Sequence, residues 1–284
     1  AAKYYTGFQF GHRQVIDYFR RHADEYDLQL LTTRKSNQPD VFLRFYDGVH
    51  QPPRSDIMPP YEHAERMRVG SAESYEHYQP PGRPRLFAVL PEEVPLFADA
   101  EIKERVVAPD GSAAFIIVAA TALKDFVSTW QIGGPLPADD QSAPPDWTPD
   151  APPASKRWRL YESPGAGVGL NDFFTQNAED ACAWAVNFVT SEVERDIVVH
   201  AGFDDRGEVW INGAHVPLRA SSDDPERSLV DAESGAARLR AGSNSVVVRT
   251  CETIGDWRFY FRLANPDGSP IAGLAWAYGP QLGP

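Results

Sequence analysis

The sequence predicts an α+β protein, in which a small α/β domain precedes an all-β sandwich of the jelly-roll class. With 284 residues, the chain exceeds the roughly 100–200 residues of a typical single domain. Its 25 prolines and 21 glycines favour many turns and short elements over long helices. Beyond Trp130, every candidate element has the pattern of a strand. We therefore expect one domain over residues 1–125 and a second over residues 126–284.

The first half contains one amphipathic helix and several short strands. Over Gly11–Ala23, Val15, Ile16 and Phe19 recur on one face, which predicts a helix that packs on a sheet. Residues 51–84 are rich in Pro, Tyr, His and charge, and they predict a long irregular excursion. Short apolar segments bounded by turn-forming residues predict strands at Leu28–Thr32, Val41–Tyr46, Arg85–Leu90, Lys103–Ala108 and Ser112–Ala119.

A proline-rich segment separates the two halves. Gly133-Gly134-Pro135 opens it, and we expect residues 135–154 to form a linker or a long loop, because proline is excluded from the interior of a sheet. Six strands are predicted beyond this loop: Cys182–Thr190, Asp196–Gly202, Glu208–Asn212, Ala237–Arg240, Ser245–Cys251 and Asp256–Ala264.

The last of these strands alternates in character. Its apolar set predicts a core face, and its polar set predicts a face that meets water. The first set is Trp257, Phe259, Phe261 and Leu263, and the second is Arg258, Tyr260 and Arg262.

Charge and cysteine content limit the function classes. The net charge of −13 argues against a nucleic-acid partner, which needs clustered Lys and Arg against its phosphates. Apolar segments such as Ala113–Ala122 are shorter than the about 20 residues of a membrane span. The chain starts without a signal-peptide pattern, so we expect any signal or anchor to lie outside it. For Cys182 and Cys251 we favour buried free thiols, with a cross-strand disulfide as the alternative.

Three segments of the second half carry a resemblance to a known family. They are Gly202–Gly213 (GFDDRGEVWING), Leu239–Asn244 (LRAGSN) before an apolar strand, and Trp257–Phe259 (WRF). Together they resemble the galactose-binding-like jelly rolls that accompany glycoside hydrolases, over most of residues 130–284. The resemblance implies the fold more directly than it implies a sugar ligand.

Segments near the N-terminus carry a second resemblance. They are FQFG at 8–11, VIDYF at 15–19, YD at 26–27, LLTT at 30–33 and QPDVFLRFY at 38–46. Over about residues 4–50 the chain is similar to the extracytoplasmic C-terminal region of polyprenyl-phosphate-dependent membrane glycosyltransferases of the mannosyltransferase and aminoarabinose-transferase type. In that family the catalytic acid lies in a loop between membrane helices, to which no segment of this sequence corresponds. The resemblance therefore implies an extracytoplasmic, membrane-associated location, periplasmic or on the cell surface, rather than transferase activity.

Patterns of known catalytic centres are missing from the sequence. Asp204 and Asp205 are the best carboxylate pair, but adjacent strand residues point to opposite faces, so turn capping is the simpler interpretation. The seven histidines lack HxxxH or HxH spacing, and no GxSxG elbow or phosphate-binding loop is present. We therefore predict no catalytic residue, no metal site and no cofactor.

Aromatic side chains point instead to binding, because exposed rings stack on the apolar faces of sugars. Trp210 alternates with Val209 and Ile211, so one of these two sets faces away from the core. The candidate ligand-binding residues are Asp204, Asp205, Trp210 and Asn212. The candidate contacts to a partner protein are Tyr4, Tyr5 and Phe8.

The predicted function is a non-catalytic extracytoplasmic module that binds glycan or docks to a membrane protein or upstream membrane domain. Two alternatives stay open at this point: a structural accessory subunit of a membrane-associated complex, and a part of a carbohydrate-active enzyme.

Overall fold

The computed structural model describes residues 10–34, 41–42, 67–140, 142–145, 158–174, 179–221 and 229–277. The chain divides into two compact units, residues 1–124 and residues 125–284.

The first unit is a five-stranded sheet with one helix packed on it. Its strands follow the spatial order β2-β1-β3-β5-β4, with β1 parallel to both β2 and β3 and the other pairs antiparallel. The elements are α1 His12–Arg21, β1 Gln29–Thr32, β2 Met67–Gly70, β3 Arg85–Val89, β4 Glu101–Val107 and β5 Ala113–Ala120. Two 3-10 helices, Tyr75–Tyr78 and Pro91–Leu96, flank β3.

The predicted helix of this unit is present, and the strands predicted at Lys103–Ala108 and Ser112–Ala119 correspond to β4 and β5. Val15, Ile16 and Phe19 are fully buried on the sheet side of α1, as the periodicity requires. Arg20 and Arg21 lie in the last turn of α1, where cations interact favourably with the helix dipole.

Two expectations for the first unit are wrong. Val41 and Phe42 are helical rather than the start of a strand; residues 43–46 of that prediction lie outside the described residues. Within residues 51–84, which were expected to be irregular, β2 pairs with β1 along its full length. Its sequence Met-Arg-Val-Gly is too short for a pattern, so the neighbouring strand, rather than its own alternation, makes it a strand.

The second unit is an antiparallel β-sandwich, which confirms the predicted fold class. One sheet has five strands in the order β13-β14-β10-β16-β8, and the other has seven, with β12-β11-β15-β9-β6-β7 in sequence and β17 also paired to β9. The strands are β6 Thr129–Pro137, β7 Trp158–Glu162, β8 Val168–Gly169, β9 Ala181–Ser191, β10 Arg195–Phe203, β11 Arg206–Ile211, β12 Ala214–Val216, β13 Arg219–Ala220, β14 Glu233–Leu239, β15 Gly242–Glu252, β16 Arg258–Ala264 and β17 Leu274–Ala277. A one-turn helix, α2 (Leu170–Phe173), follows β8.

Strand β16 has a core face as predicted, but its other face does not meet water. Tyr260 is 1% exposed and Arg262 is 7% exposed. The ring of Phe126 packs edge-on against Tyr260, and the carboxylate of Asp231 accepts two hydrogen bonds from the Arg262 guanidinium, at 2.8 and 2.7 Å. A bidentate pair of this kind allows a guanidinium to be buried, which the alternation of one strand does not reveal.

The proline-rich loop begins later than expected. Strand β6 continues through Gly133 and Pro135 to Pro137, and it pairs with β9 on both sides of an irregularity between Gly133 and Leu136. A bulge is one of the few places where a sheet accepts proline. Strand β7, which no sequence pattern indicated, pairs with β6 and adds an edge to the sheet.

Cys182 and Cys251 form a disulfide, so the free-thiol interpretation is wrong. The two residues lie directly opposite each other on β9 and β15, with Cα atoms 4.0 Å apart. Sequence alone does not give this register, which decides whether two cysteines meet.

Among the described residues, no helix has the length and apolar character needed to cross a membrane.

Candidate functional site

The candidate site lies on the outer face of the seven-stranded sheet and is centred on β11. Alternate residues of this strand point to opposite sides. Val209 and Ile211 are buried in the sandwich core, at 0% and 3% exposure. Glu208 and Trp210 therefore point outward, which settles the facing that the sequence left open.

Strand register arranges the outward side chains in two rows across the sheet. The first row runs from His215 through Trp210, Val247 and Val186 to Gln131. The second row runs from Glu208 through Arg249, Trp184 and Gly133 to Trp158. Six strands thus contribute to one surface, which we call the aromatic face and define by Trp158, Trp184, Trp210 and His215.

Ring contacts join the two rows. The ring centroid of Trp210 lies 5.4 Å from that of Trp184 and 5.4 Å from that of His215. Trp184 is 4% exposed and packs with Val186 and Val247, whereas Trp210 is half-buried. Trp184 therefore supports the face, and Trp210 presents ring surface to solvent.

Gly133 gives Trp158 its position. A Cβ added at Gly133 would lie 2.7 Å from three ring carbons of Trp158, closer than real side chains approach. The absence of a side chain therefore lets the indole lie across β6. The Gly133-Gly134 pair was expected to open a linker. Gly133 instead leaves space for the ring of Trp158.

Charged groups lie beside the rings. The carboxylate of Glu208 is 4.0 Å from the Arg249 guanidinium and 3.6 Å from the His215 imidazole. The guanidinium of Arg249 is 5.6 Å from the ring centre of Trp184, and it donates a hydrogen bond to the backbone oxygen of Asp140. Nη1 of Arg249 faces the Glu208 carboxylate and Nη2 donates to Asp140, so these contacts together hold the guanidinium in place.

A depression of about 180 Å³ opens next to these charges. Arg206, Gly207, Glu208 and Arg249 line it together with Ala138 and Cys251. It therefore offers hydrogen-bond donors and an acceptor beside the half-buried ring of Trp210.

Of the four predicted ligand residues, only Trp210 belongs to this face. Asn212 starts the β11–β12 turn, where Asn212 and Gly213 both have positive φ (52° and 76°), as a two-residue hairpin turn requires. Its side chain donates to Oδ1 of Asn244 at 2.8 Å and accepts from the Ser245 amide at 3.1 Å. The side-chain groups of Asn212 that could contact a ligand are therefore used to hold the hairpin turn.

Asp204 and Asp205 lie at the opposite end of β11. The six residues of that strand separate them from Asn212 by roughly 20 Å, at about 3.3 Å per residue. The carboxylate of Asp205 accepts a hydrogen bond from the Thr253 amide at 2.6 Å. The structure thus does not bring the four residues into one site, and Tyr4, Tyr5 and Phe8 lie outside the described residues.

Sequence reasoning missed Glu208, Arg249 and Trp184. The alternation of Glu208 with Val209 could have indicated an outward carboxylate. Arg249 and Trp184 join the site only through strand pairing. Within the described residues, no three His, Cys, Asp or Glu side chains are arranged to hold a metal ion.

Comparisons with known proteins do not show a family. No family model matches the chain, and no curated protein matches it. Among solved structures, the chain is similar to a selenomethionine-labelled β-glucosidase from Kluyveromyces marxianus, with a TM-score of 0.33 and 10% identity over 48% of this chain and 16% of that one. The glucose complex of the Kluyveromyces marxianus β-glucosidase gives a TM-score of 0.35 and 10% identity over 85% of this chain and 25% of that one.

An anti-sigma factor domain-containing protein from Clostridium clariflavum gives a TM-score of 0.28 and 11% identity, over 55% of this chain and 45% of that one. The chain thus spans less than half the length of each of these proteins. At such TM-scores the likenesses carry no inference about function.

Proposed function

We propose that this chain is an extracytoplasmic, non-catalytic glycan-binding module whose ligand lies on the aromatic face. The observation that carries the proposal is the half-buried Trp210, with Glu208 and Arg249 in the adjacent row. A ring alone indicates any apolar partner, and a charged pair alone indicates a solvated surface. Side by side they match a ligand with an apolar face and hydroxyl edges.

Sugar rings have this dual character. Their C–H faces stack on an indole, and their hydroxyls donate to carboxylates and accept from guanidinium groups. Glu208 supplies acceptors, and Arg206 and Arg249 supply donors at the depression beside it. Trp184 and Val247 hold Trp210 from below, so little side-chain freedom is lost on binding.

The surroundings of Glu208 favour binding over hydrolysis. Glu208 is the one carboxylate among the described residues that line the depression, whereas a glycosidase needs two carboxyl groups that flank the scissile bond. We therefore assign Glu208 to recognition of hydroxyl groups.

The disulfide supports an extracytoplasmic location. Cys182–Cys251 joins neighbouring strands of the sheet that carries the site, and such bonds persist in oxidising compartments. The relation of residues 4–50 to a glycosyltransferase tail stays a prediction, since most of that segment lies outside the described residues.

Isothermal titration calorimetry tests the proposal. The whole chain is titrated with oligomers of β-1,4-glucose, β-1,4-mannose, β-1,4-N-acetylglucosamine and glucuronic acid, and reducing ends are assayed after prolonged incubation. We expect saturable binding of at least one series without release of reducing ends. Glu208→Gln should weaken binding about tenfold, the order of one hydrogen bond to a charged group.

Glu162→Gln is the matched control, because Glu162 is an exposed glutamate on the edge strand β7 of the same sheet. It should leave the affinity unchanged. Release of reducing ends that Glu208→Gln abolishes would make the chain an enzyme, and equal effects of the two variants would remove Glu208 from the site.

A further inference from the structure

A second cavity lies on the flank of the sandwich, outside the aromatic face. This flank cleft has a volume of about 400 Å³. Residues of β11, β12 and their turn line one side, and Glu194, β14 and Arg240 line the other. Strand β12 is an edge of the seven-stranded sheet, and β14 belongs to the five-stranded sheet. The cleft therefore lies where the two layers open toward solvent.

The residues that line the flank cleft include an apolar set and one arginine, Arg240, that has no acidic partner among the described residues. Ala214, Val216 and Ala236 supply apolar surface. Arg238 is held by Glu194 and by Asp196, which lies 3.8 Å from it. The guanidinium of Arg240 is exposed and, within the described part of the chain, pairs with no acidic side chain. Arg240 is thus available to donate hydrogen bonds to a ligand.

His215 connects the flank cleft to the aromatic face. It lines the cleft, its ring lies 5.4 Å from that of Trp210, and its Nε2 is 3.6 Å from the carboxylate of Glu208. Glu208 in turn lines the depression beside Arg249. The depression, the Trp210 ring and the flank cleft therefore follow one another along β11 and its turn, over roughly 20 Å at about 3.3 Å per residue.

We propose that the flank cleft is a second sugar subsite, so that the ligand is an oligosaccharide and not a single sugar. The chain of sugars passes from the depression beside Arg249, over Trp210 and past His215, and its far end lies in the cleft beside Arg240. This inference rests on the proposed function, because it extends the same ligand beyond the aromatic face. Arg240, which lies outside the aromatic face, is then the residue that favours longer oligosaccharides.

Calorimetry of length series tests the inference. The monomer, dimer, tetramer and hexamer of each of the four sugars named above are titrated into the whole chain. In the series that binds, we expect the tetramer to bind at least about tenfold more tightly than the monomer. Arg240→Gln should remove most of this gain and leave monomer affinity within about twofold, because the monomer occupies the face alone.

Arg13→Gln is the control, since Arg13 is an exposed arginine on α1 of the other unit. Affinity that does not depend on length would overturn the inference while the proposed function stands. Equal weakening of monomer and tetramer by Arg240→Gln would overturn it as well. Failure of every series to bind would contradict both the proposed function and this inference.

Discussion

The two faces of the seven-stranded sheet are made of alternate residues of the same strands, yet their chemistry differs. On the inner face, Trp130 is fully buried and its indole N–H donates to the backbone oxygen of Val127 at 2.8 Å. On the outer face, Trp210 is half-buried and has the charged Glu208 and Arg249 beside it. Both positions carry the same residue type on one sheet.

Burial alone therefore does not identify the function of an aromatic residue. Val186 and Phe188 on the outer face are as buried as core residues, at 0% and 2% exposure. What distinguishes the outer face is the presence of ionised groups against its rings, which packing of a core does not require. Packing accounts for the inner face, and the proposed ligand would account for the charged groups beside Trp210 on the outer face.

Trp130→Ala should give the largest effect on stability. Removal of a fully buried Trp costs about 3–5 kcal/mol of unfolding free energy. Trp210→Ala should cost clearly less, because that ring is already partly in water. Urea denaturation of the two variants measures the difference, and equal losses would break the distinction between the faces.

The disulfide should have the next largest effect. Replacing both Cys182 and Cys251 with Ala should lower the unfolding free energy by roughly 2–4 kcal/mol, because the bond restricts the unfolded chain. Denaturation of the double variant beside the oxidised wild type measures this loss. Unchanged stability would mean that the pairing of β9 and β15 does not depend on the bond.

A buried carboxyl in the first unit makes stability depend on pH. Glu93 accepts hydrogen bonds from Oγ1 of Thr32 at 2.9 Å and from the Leu90 amide at 2.8 Å, yet burial raises its pKa from 4.5 to about 7. The folded pKa exceeds the unfolded one, so the folded state favours the protonated acid. Its contribution is complete below pH 4.5 and is lost as the pH rises through about 7.

The loss is on the order of 3 kcal/mol, at about 1.4 kcal/mol for each pKa unit. Glu93→Gln should reduce the pH dependence of thermal unfolding between pH 5 and 8, and Glu92→Gln, at the partly exposed neighbour, should not. In the second unit, burial and the neighbouring Asp205 and Asp204 raise the pKa of Glu252 to about 7, and the same sign applies there. A slope unchanged in Glu93→Gln would contradict this role of Glu93.

Gly133→Ala should have the smallest effect on stability, about 1–3 kcal/mol, because the added Cβ displaces the ring of Trp158. Near-ultraviolet circular dichroism should report the changed ring environment. Gly111→Ala is no substitute as a control, since its φ of 89° strains any side chain. Gly133→Ser, which adds similar bulk, should reproduce the effect. An unchanged spectrum in both variants would contradict the claim that Gly133 positions the ring of Trp158.

Sequence patterns predicted the elements whose own residues carry the signal. Helix α1 has its apolar stripe, β4 and β5 have a Pro-Asp-Gly turn between them, and β16 has its alternation. Strands β2, β6 and β7 lack such a signal, since a neighbour or a bulge determines them.

The candidate site was predictable only in part, for the same reason. Trp210 could be found because alternation along one strand decides which way it faces. Arg249, Trp184 and Trp158 join it through the register of four strand pairs. Asp205 and Asn212 were good candidates by residue type, but turn geometry uses their side chains.

Whether the ligand lies on the aromatic face is tested most directly by calorimetric titration of Trp210→Ala with the sugar series that the wild type binds. Val193→Ala is the control, since Val193 is 53% exposed and lies between β9 and β10, outside the aromatic face. Loss of a stacking ring should weaken binding by a factor of about ten or more, while Val193→Ala leaves it unchanged. Wild-type affinity in a folded Trp210→Ala variant would show that the ligand does not lie on the aromatic face.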